Sequence, residues 1–343
     1  MFNTPFVFSF ALLLSFPLLF LFVPRILPPK HVEISLPDEL DDIALFRRAT
    51  LASLGGGATV SRLGTTNPKP KIAFLFLTNT NLHFAPLWEL FFQNNEGLYN
   101  IYIHADPSCK ITSPGGVFSG RFIAAKKTQR ATPTLISAAR RLLATALLDD
   151  SFNSYFALVS QHCIPLHTFQ YMYKTLFVKP SFPMYRSFIE IKSDEPVLWD
   201  RYIARGKNVM LPEVPFDRFR MGSQFFVLTR QHALVVIQDK RLWRKFKLRC
   251  LNLQSCYPEE HYFPTLLSME DPDGCTHYSL TRVNWTGSVG GHPHTYRPPE
   301  VTPRLIQELR FSNSSYSFMF ARKFSPDCLQ PLLDMADKVI FSD

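Results

Sequence analysis

Two adjacent carboxylates, Glu259 and Glu260, stand within Cys256-Tyr257-Pro258-Glu259-Glu260-His261-Tyr262-Phe263-Pro264-Thr265-Leu266-Leu267. Pro258 suits the first position of a helix, where its missing N–H is not called on. Acidic residues in a first turn complement the positive helix end. The stretch is therefore a sound helix start whether or not it does chemistry. It also offers a general base, Glu260 or Glu259, held at the helix end beside His261 and flanked by aromatic rings that can exclude water.

Other reactive residue types are less well disposed. Asp106 closes the apolar run Tyr99-Asn100-Ile101-Tyr102-Ile103-His104 and precedes Pro107, so it reads either as a turn former or as a carboxylate facing a nucleotide's ribose or base. His162 and Cys163 are neighbours, and adjacent side chains diverge, which argues against a Cys–His nucleophile pair. The one Asp-x-Asp, Asp271-Pro272-Asp273, runs into Gly274 and reads as a loop turn instead of a manganese site. None of the six cysteines (Cys109, Cys163, Cys250, Cys256, Cys275, Cys328) has CxxC spacing, so they suggest disulfides in an oxidising compartment, of open pairing.

The elements that must position these groups follow from hydrophobic patterning. Lys71–Thr78 (KIAFLFLT), the run ending at His104, and Ser154–Ser160 are short apolar stretches of the kind that form fully buried parallel strands. Helices are expected over 84–93, over 132–149 with Arg140 and Arg141 outward, and over 167–177. A further strand is expected over 221–229, with a helix from Arg230. This order predicts βαβ units, whose ligands bind beyond the carboxyl ends of the strands. The basic run 240–247 faces several directions on a helix and no nucleic-acid motif accompanies it, so it reads as a solvated face. Loops around Tyr185 and Trp199 mix aromatic and charged residues in a way that suits a sugar surface or a solvated rim.

Length and charge set the frame. The chain has 343 residues, 46% hydrophobic and 19% charged, enough for one large or two small domains and incompatible with a disordered chain. Its net charge of +9 suits an anionic partner such as a nucleoside diphosphate, an acidic glycan, a nucleic acid or a membrane surface. The uncharged run 6–23 approaches the length of a bilayer span and reads as a retained signal anchor after a tail over 1–5; a cleaved signal peptide is the alternative. Residues 24–70 read as a stem carrying one short helix near 37–53, and 71–343 as the catalytic unit. Two sequons, at Asn284 and Asn313, agree with entry into the secretory pathway.

Beyond the acidic pair lie Val283-Asn284-Trp285-Thr286-Gly287, His292-Pro293-His294-Thr295-Tyr296-Arg297-Pro298 and Phe320-Ala321-Arg322-Lys323-Phe324. With KIAFLFLT, YIHAD and GSQFFVLT, their order and spacing from Lys71 to the C-terminus resemble the family-14 glycosyltransferases. These are the core-2/I-branching N-acetylglucosaminyltransferases, and the likeness is to the plant members especially. The resemblance implies a GT-A type α/β fold, with a Rossmann-like mixed sheet flanked by helices, on a single-pass type II Golgi membrane protein with a lumenal catalytic domain. It implies transfer from a UDP-sugar, with inversion and no metal, to an oligosaccharide, glycoprotein or proteoglycan. N-acetylglucosamine is the first expectation for the donor sugar, and glucuronic acid and xylose are the alternatives. Carried over residue by residue, it makes Glu260 the catalytic base, Arg297 and Lys323 the diphosphate ligands, Asp106 the nucleoside contact and Trp285 an acceptor contact. His261 is expected to be structural or to orient Glu260, and His292 and His294 are left unassigned. A glycan-binding or scaffold protein of the same fold is the competing reading. A hydrolase ranks below both, because adjacent Glu259 and Glu260 cannot flank one bond.

Overall fold

The computed structural model describes residues 39–55, 69–178, 185–288 and 290–343. The apolar run 6–23 lies outside these, and among the described residues no helix is long and apolar enough to cross a membrane. The first element is helix α1 (Glu39–Gly55), followed by strand β1 (Lys71–Thr78), α2 (Ala85–Phe92), β2 (Tyr99–Ala105), α3 (Pro133–Asp149) and β3 (Asn153–Ser160). Then come β4 (Ile164–Pro165), α4 (Phe169–Phe177), α5 (Leu198–Tyr202), β5 (Val227–Thr229), α6 (Arg230–Gln238), α7 (Arg241–Phe246) and α8 (Tyr262–Glu270). Strand β6 (Thr281–Val283), α9 (Pro303–Arg310), β7 (Phe320–Arg322) and α10 (Leu329–Asp334) follow, and a π-helical turn over Ala336–Ile340 closes the chain.

The fold is α/β, with mixed sheets flanked by helices. The main sheet runs β2-β1-β3-β5, with β1 parallel to both β2 and β3 and β5 antiparallel to β3. A small sheet, β4-β7-β6, sits alongside. Because side chains alternate across a strand, β1 sends Ile72, Phe74 and Phe76 into one core and Ala73, Leu75 and Leu77 into another. The first core is a web of rings: Phe74 meets Trp88, Phe91 and Phe92 edge-on at 4.9–6.0 Å between centroids, a favoured aromatic arrangement. The second packs under α3, α6 and α8.

Two readings of the sequence are corrected here. Arg140 and Arg141 do not face solvent; both are buried. Arg141 pairs with Asp42 of α1 at 2.6 Å and donates to His104 Nε2 at 3.0 Å, while Arg140 donates to the Ile237 and Asp239 carbonyls. The cause is α1 itself: the helix assigned to a stem lies on α3, with Ala49 fully buried and Phe46 against the Arg140 guanidinium. The strand expected over 221–229 also shortens to Val227–Thr229, because 221–225 line a cleft.

In α7, Leu242, Trp243 and Phe246 are buried. Arg241, Lys245 and Lys247 from the basic run pair with Glu270, Glu213 and Glu39.

Candidate active site

Pro258–Glu260 form one 3-10 turn, and the α-helix proper starts at Tyr262. Tyr257, just before, takes a left-handed φ of 38°, costly for a residue with a side chain. The Cys250–Cys256 disulfide ends beside it; Cys109, Cys163, Cys275 and Cys328 are free thiols. His261 stacks on Phe219 at 4.7 Å and donates from Nδ1 to the Arg220 carbonyl at 2.9 Å. Burial pushes its pKa down to about 3, so the ring is neutral and braces the turn. On the other side, the Gly222 N–H donates to the Glu260 carbonyl at 2.9 Å. No side chain fits at Gly222, since a Cβ would collide with the Glu190 carbonyl oxygen.

The turn opens on a cleft of about 700 Å³. The Glu260 carboxylate lines it and meets the Arg201 guanidinium at 3.2 Å. Burial raises the Glu260 pKa, against the opposing pull of Arg201, Arg130 and Arg322. A carboxylate biased this way is a better proton acceptor than a fully solvated one, and its arginines favour the ionised form that burial opposes. Glu259 is far more enclosed, and burial lifts its pKa to about 7.

Basic groups converge on the same cleft: Lys323, Arg322, Arg282 and Arg130 join Arg201 in its lining. Burial, then Arg322 and Arg130, lower the Lys323 pKa to about 8. The Arg322 guanidinium lies over the Phe225 ring, 4.2 Å from its centroid. His292 connects two of these cations, with Arg130 Nη1 2.6 Å from Nε2 and Lys323 Nζ 3.3 Å from Nδ1. Burial and these cations lower the His292 pKa, which favours the neutral imidazole, whose one acceptor nitrogen can take a hydrogen bond from one of the two cations at a time. Clustered cations of this kind are suited to a polyanionic group.

Of the residues singled out by sequence, Glu259, Glu260, Lys323, Trp285 and the unassigned His292 share this cleft. The Trp285 ring is 55% exposed, free to stack on a ligand. Arg297 is solvent-exposed and does not line it. Its N–H is tied to the Glu300 carboxylate at 2.7 Å, at the head of the turn Pro298–Glu300. Asp106 is buried at the end of β2 with four donors on its carboxylate: the N–H and hydroxyl of Ser108 and of Thr128, at 2.6–2.8 Å. Burial alone would raise its pKa, but these bonds prevail and hold it at about 2. The carboxylate thus straps the 106–128 loop, and it is absent from the cleft lining.

Asn284 Oδ1 accepts from the Thr286 N–H at 2.9 Å, and Asn313 is exposed. His294 pairs with Glu300 at 2.7 Å. Asp271 accepts from the Gly274 N–H at 3.0 Å, as a turn does, and contacts His232. Among the described residues, no three His, Cys, Asp or Glu side chains form a metal-holding group. Arg130 and Arg282 were not singled out by sequence. The one available signal for Arg130 was its place before Thr132-Pro133, the N-cap and first residue of α3.

Residues 72–310 match the sequence model of the Core-2/I-Branching enzyme family. The chain is also similar to Glycosyltransferase BC10 of Oryza sativa subsp. japonica, at 29% identity with 78% of this chain and 76% of that protein covered. With a match over more than half its length and a cleft pairing a carboxylate with clustered cations, the chain belongs to the Core-2/I-branching enzyme family and is a glycosyltransferase.

Proposed function

We propose that the chain is an inverting glycosyltransferase of GT-A type that moves a sugar from a UDP-sugar to a glycan hydroxyl without a metal. The observation that carries this reading is the meeting of Glu260 and Lys323 in one cleft. Glu260 takes the proton of the acceptor hydroxyl as that oxygen attacks the anomeric carbon from the face opposite the diphosphate. One base and one displacement invert the centre. The departing UDP gains negative charge, which fixed cations offset where a divalent ion would otherwise do so.

Lys323, Arg322, Arg282 and Arg130, which line the cleft, take that role in this reading. Arg297, expected in this role, stands outside the cleft lining. Asp106 orders the loop that leads to Arg130 instead of meeting the nucleoside itself. Trp285 is the acceptor platform: an indole face stacks on the apolar face of a sugar ring. N-acetylglucosamine is the first donor sugar to test, then glucuronic acid and xylose. A lumenal Golgi site behind a type II anchor accords with the disulfide and with the sequons at Asn284 and Asn313.

The test screens the purified chain against a panel of UDP-sugars with chelator present. UDP release that survives chelation and collapses in Glu260→Gln is the expected result. Strict dependence on manganese overturns the metal-free mechanism.

A further inference from the structure

The turn that carries Glu260 fixes two arginines at once. Tyr257 lies between them, its ring centroid 4.3 Å from the Arg201 guanidinium carbon and 5.3 Å from that of Arg130. Glu260 pairs with Arg201. Glu259 turns the other way: it is 3% exposed, and its Oε1 accepts the Ala131 N–H at 2.9 Å. Its Oε2 is buried with no hydrogen-bond partner among the described residues. Ala131 holds a left-handed φ of 59° between Arg130 and the N-cap of α3, so its backbone needs an external tie. From that backbone Arg130 reaches Gly291 O at 2.7 Å and His292.

We infer that Glu259 is a positioning residue: by holding the Ala131 N–H it aims Arg130 into the cleft, so that the base and an anion-binding cation are assembled by one turn. This rests on the reading of the cleft as a nucleoside-diphosphate site. Removing the acceptor leaves a part-buried N–H unpaired and the left-handed Ala131 untethered. Both carboxylates border the cleft, but Glu259 is the more enclosed and its Oε1 is taken by the Ala131 N–H, while Glu260 is the more open and stands beside Arg201, so Glu259 is not the base.

The test measures UDP binding calorimetrically, and donor KM and kcat, in Glu259→Ala, Glu259→Gln, Arg130→Ala and the Glu259→Ala/Arg130→Ala pair. Glu259→Ala is expected to weaken UDP by about tenfold, with the loss in KM and not in kcat. Glu259→Gln keeps an acceptor oxygen and is expected to stay within about threefold of wild type. The double variant is expected to be no weaker than Arg130→Ala alone.

Additive losses, or a folded Glu259→Ala that binds UDP normally, overturn the inference. So does an isosteric Glu259→Gln that binds as poorly as Arg130→Ala, an arm that stands even if the alanine variant does not fold. Lys323→Ala separates the two readings. Loss of UDP there with indifference at Glu259 sinks this inference alone, whereas wild-type protein that binds no UDP sinks both.

Discussion

The Glu260 carboxylate and the Arg201 guanidinium form an ion pair at 3.2 Å inside the cleft that also holds Lys323. Arg201 is one of the charges that oppose the burial-driven rise in the Glu260 pKa. Replacing it with Gln removes a stabiliser of the ionised carboxylate, so the Glu260 pKa is expected to rise further. The acid limb of the kcat/KM profile is expected to move to higher pH, with a loss of at least about tenfold at neutral pH. A pH–rate series on Arg201→Gln checks this, and an unmoved acid limb separates Arg201 from the base.

Lys323 carries the opposite sign. Its pKa is lowered to about 8, so the side chain is charged below that pH and loses its proton above it. UDP affinity is therefore expected to fall as pH rises through 8, with proton uptake on binding in that range, since an anion restores the charged form. In Lys323→Met the same titration is expected to be weak and flat. Calorimetry in buffers of different ionisation enthalpy reads both effects.

Glu259 links pH to stability. Its folded pKa of about 7 lies above the usual carboxylate value of 4.5, because burial favours the neutral form. The folded state therefore binds more protons than the unfolded one between these values. That contribution is fully present below about 4.5 and is lost as pH rises through 7, by about 3 kcal/mol. Glu259→Gln, which cannot ionise, is expected to flatten this slope in denaturant titrations run from pH 4.5 to 8.

Gly222 packs against the Glu190 backbone. A methyl group there meets the Glu190 carbonyl oxygen, and the Gly222 N–H that holds the Glu260 carbonyl shifts with it. Gly222→Ala is expected to cost about 1–3 kcal/mol of stability and to reduce kcat more than UDP affinity.

Helix α1 is part of the packed domain through the buried Asp42–Arg141 pair at 2.6 Å. Asp42→Ala strands the Arg141 charge, with an expected loss of about 3 kcal/mol, read as a fall in the thermal midpoint.

The parts of the fold legible in sequence are those where burial is complete or strictly periodic. β1, β2 and β3 are unbroken apolar runs, and α3 presents Ile136, Ala139, Leu142, Leu143 and Ala146 to the core at helical spacing. What sequence could not supply was the identity of long-range partners. Arg140 and Arg141 looked exposed because α1, which covers them, supplies partners 94 and 99 residues earlier and is flanked by loop-like composition. Asp106 at a strand end resembled a ligand-facing carboxylate, yet Thr128, 22 residues on, takes up one of its oxygens. Lys323 and Arg297 were paired by resemblance, whereas folding brings Arg130 from the far side of the chain to share His292 with Lys323.

The central claim is that one carboxylate does the proton transfer while separate cations hold the diphosphate. UDP binding and sugar transfer measured side by side in Glu260→Gln and Lys323→Ala test it most directly. The account predicts that Glu260→Gln binds UDP as wild type does but loses transfer by at least about a hundredfold, while Lys323→Ala loses UDP affinity itself. An active Glu260→Gln enzyme, or Lys323→Ala protein with unchanged UDP affinity, would contradict it.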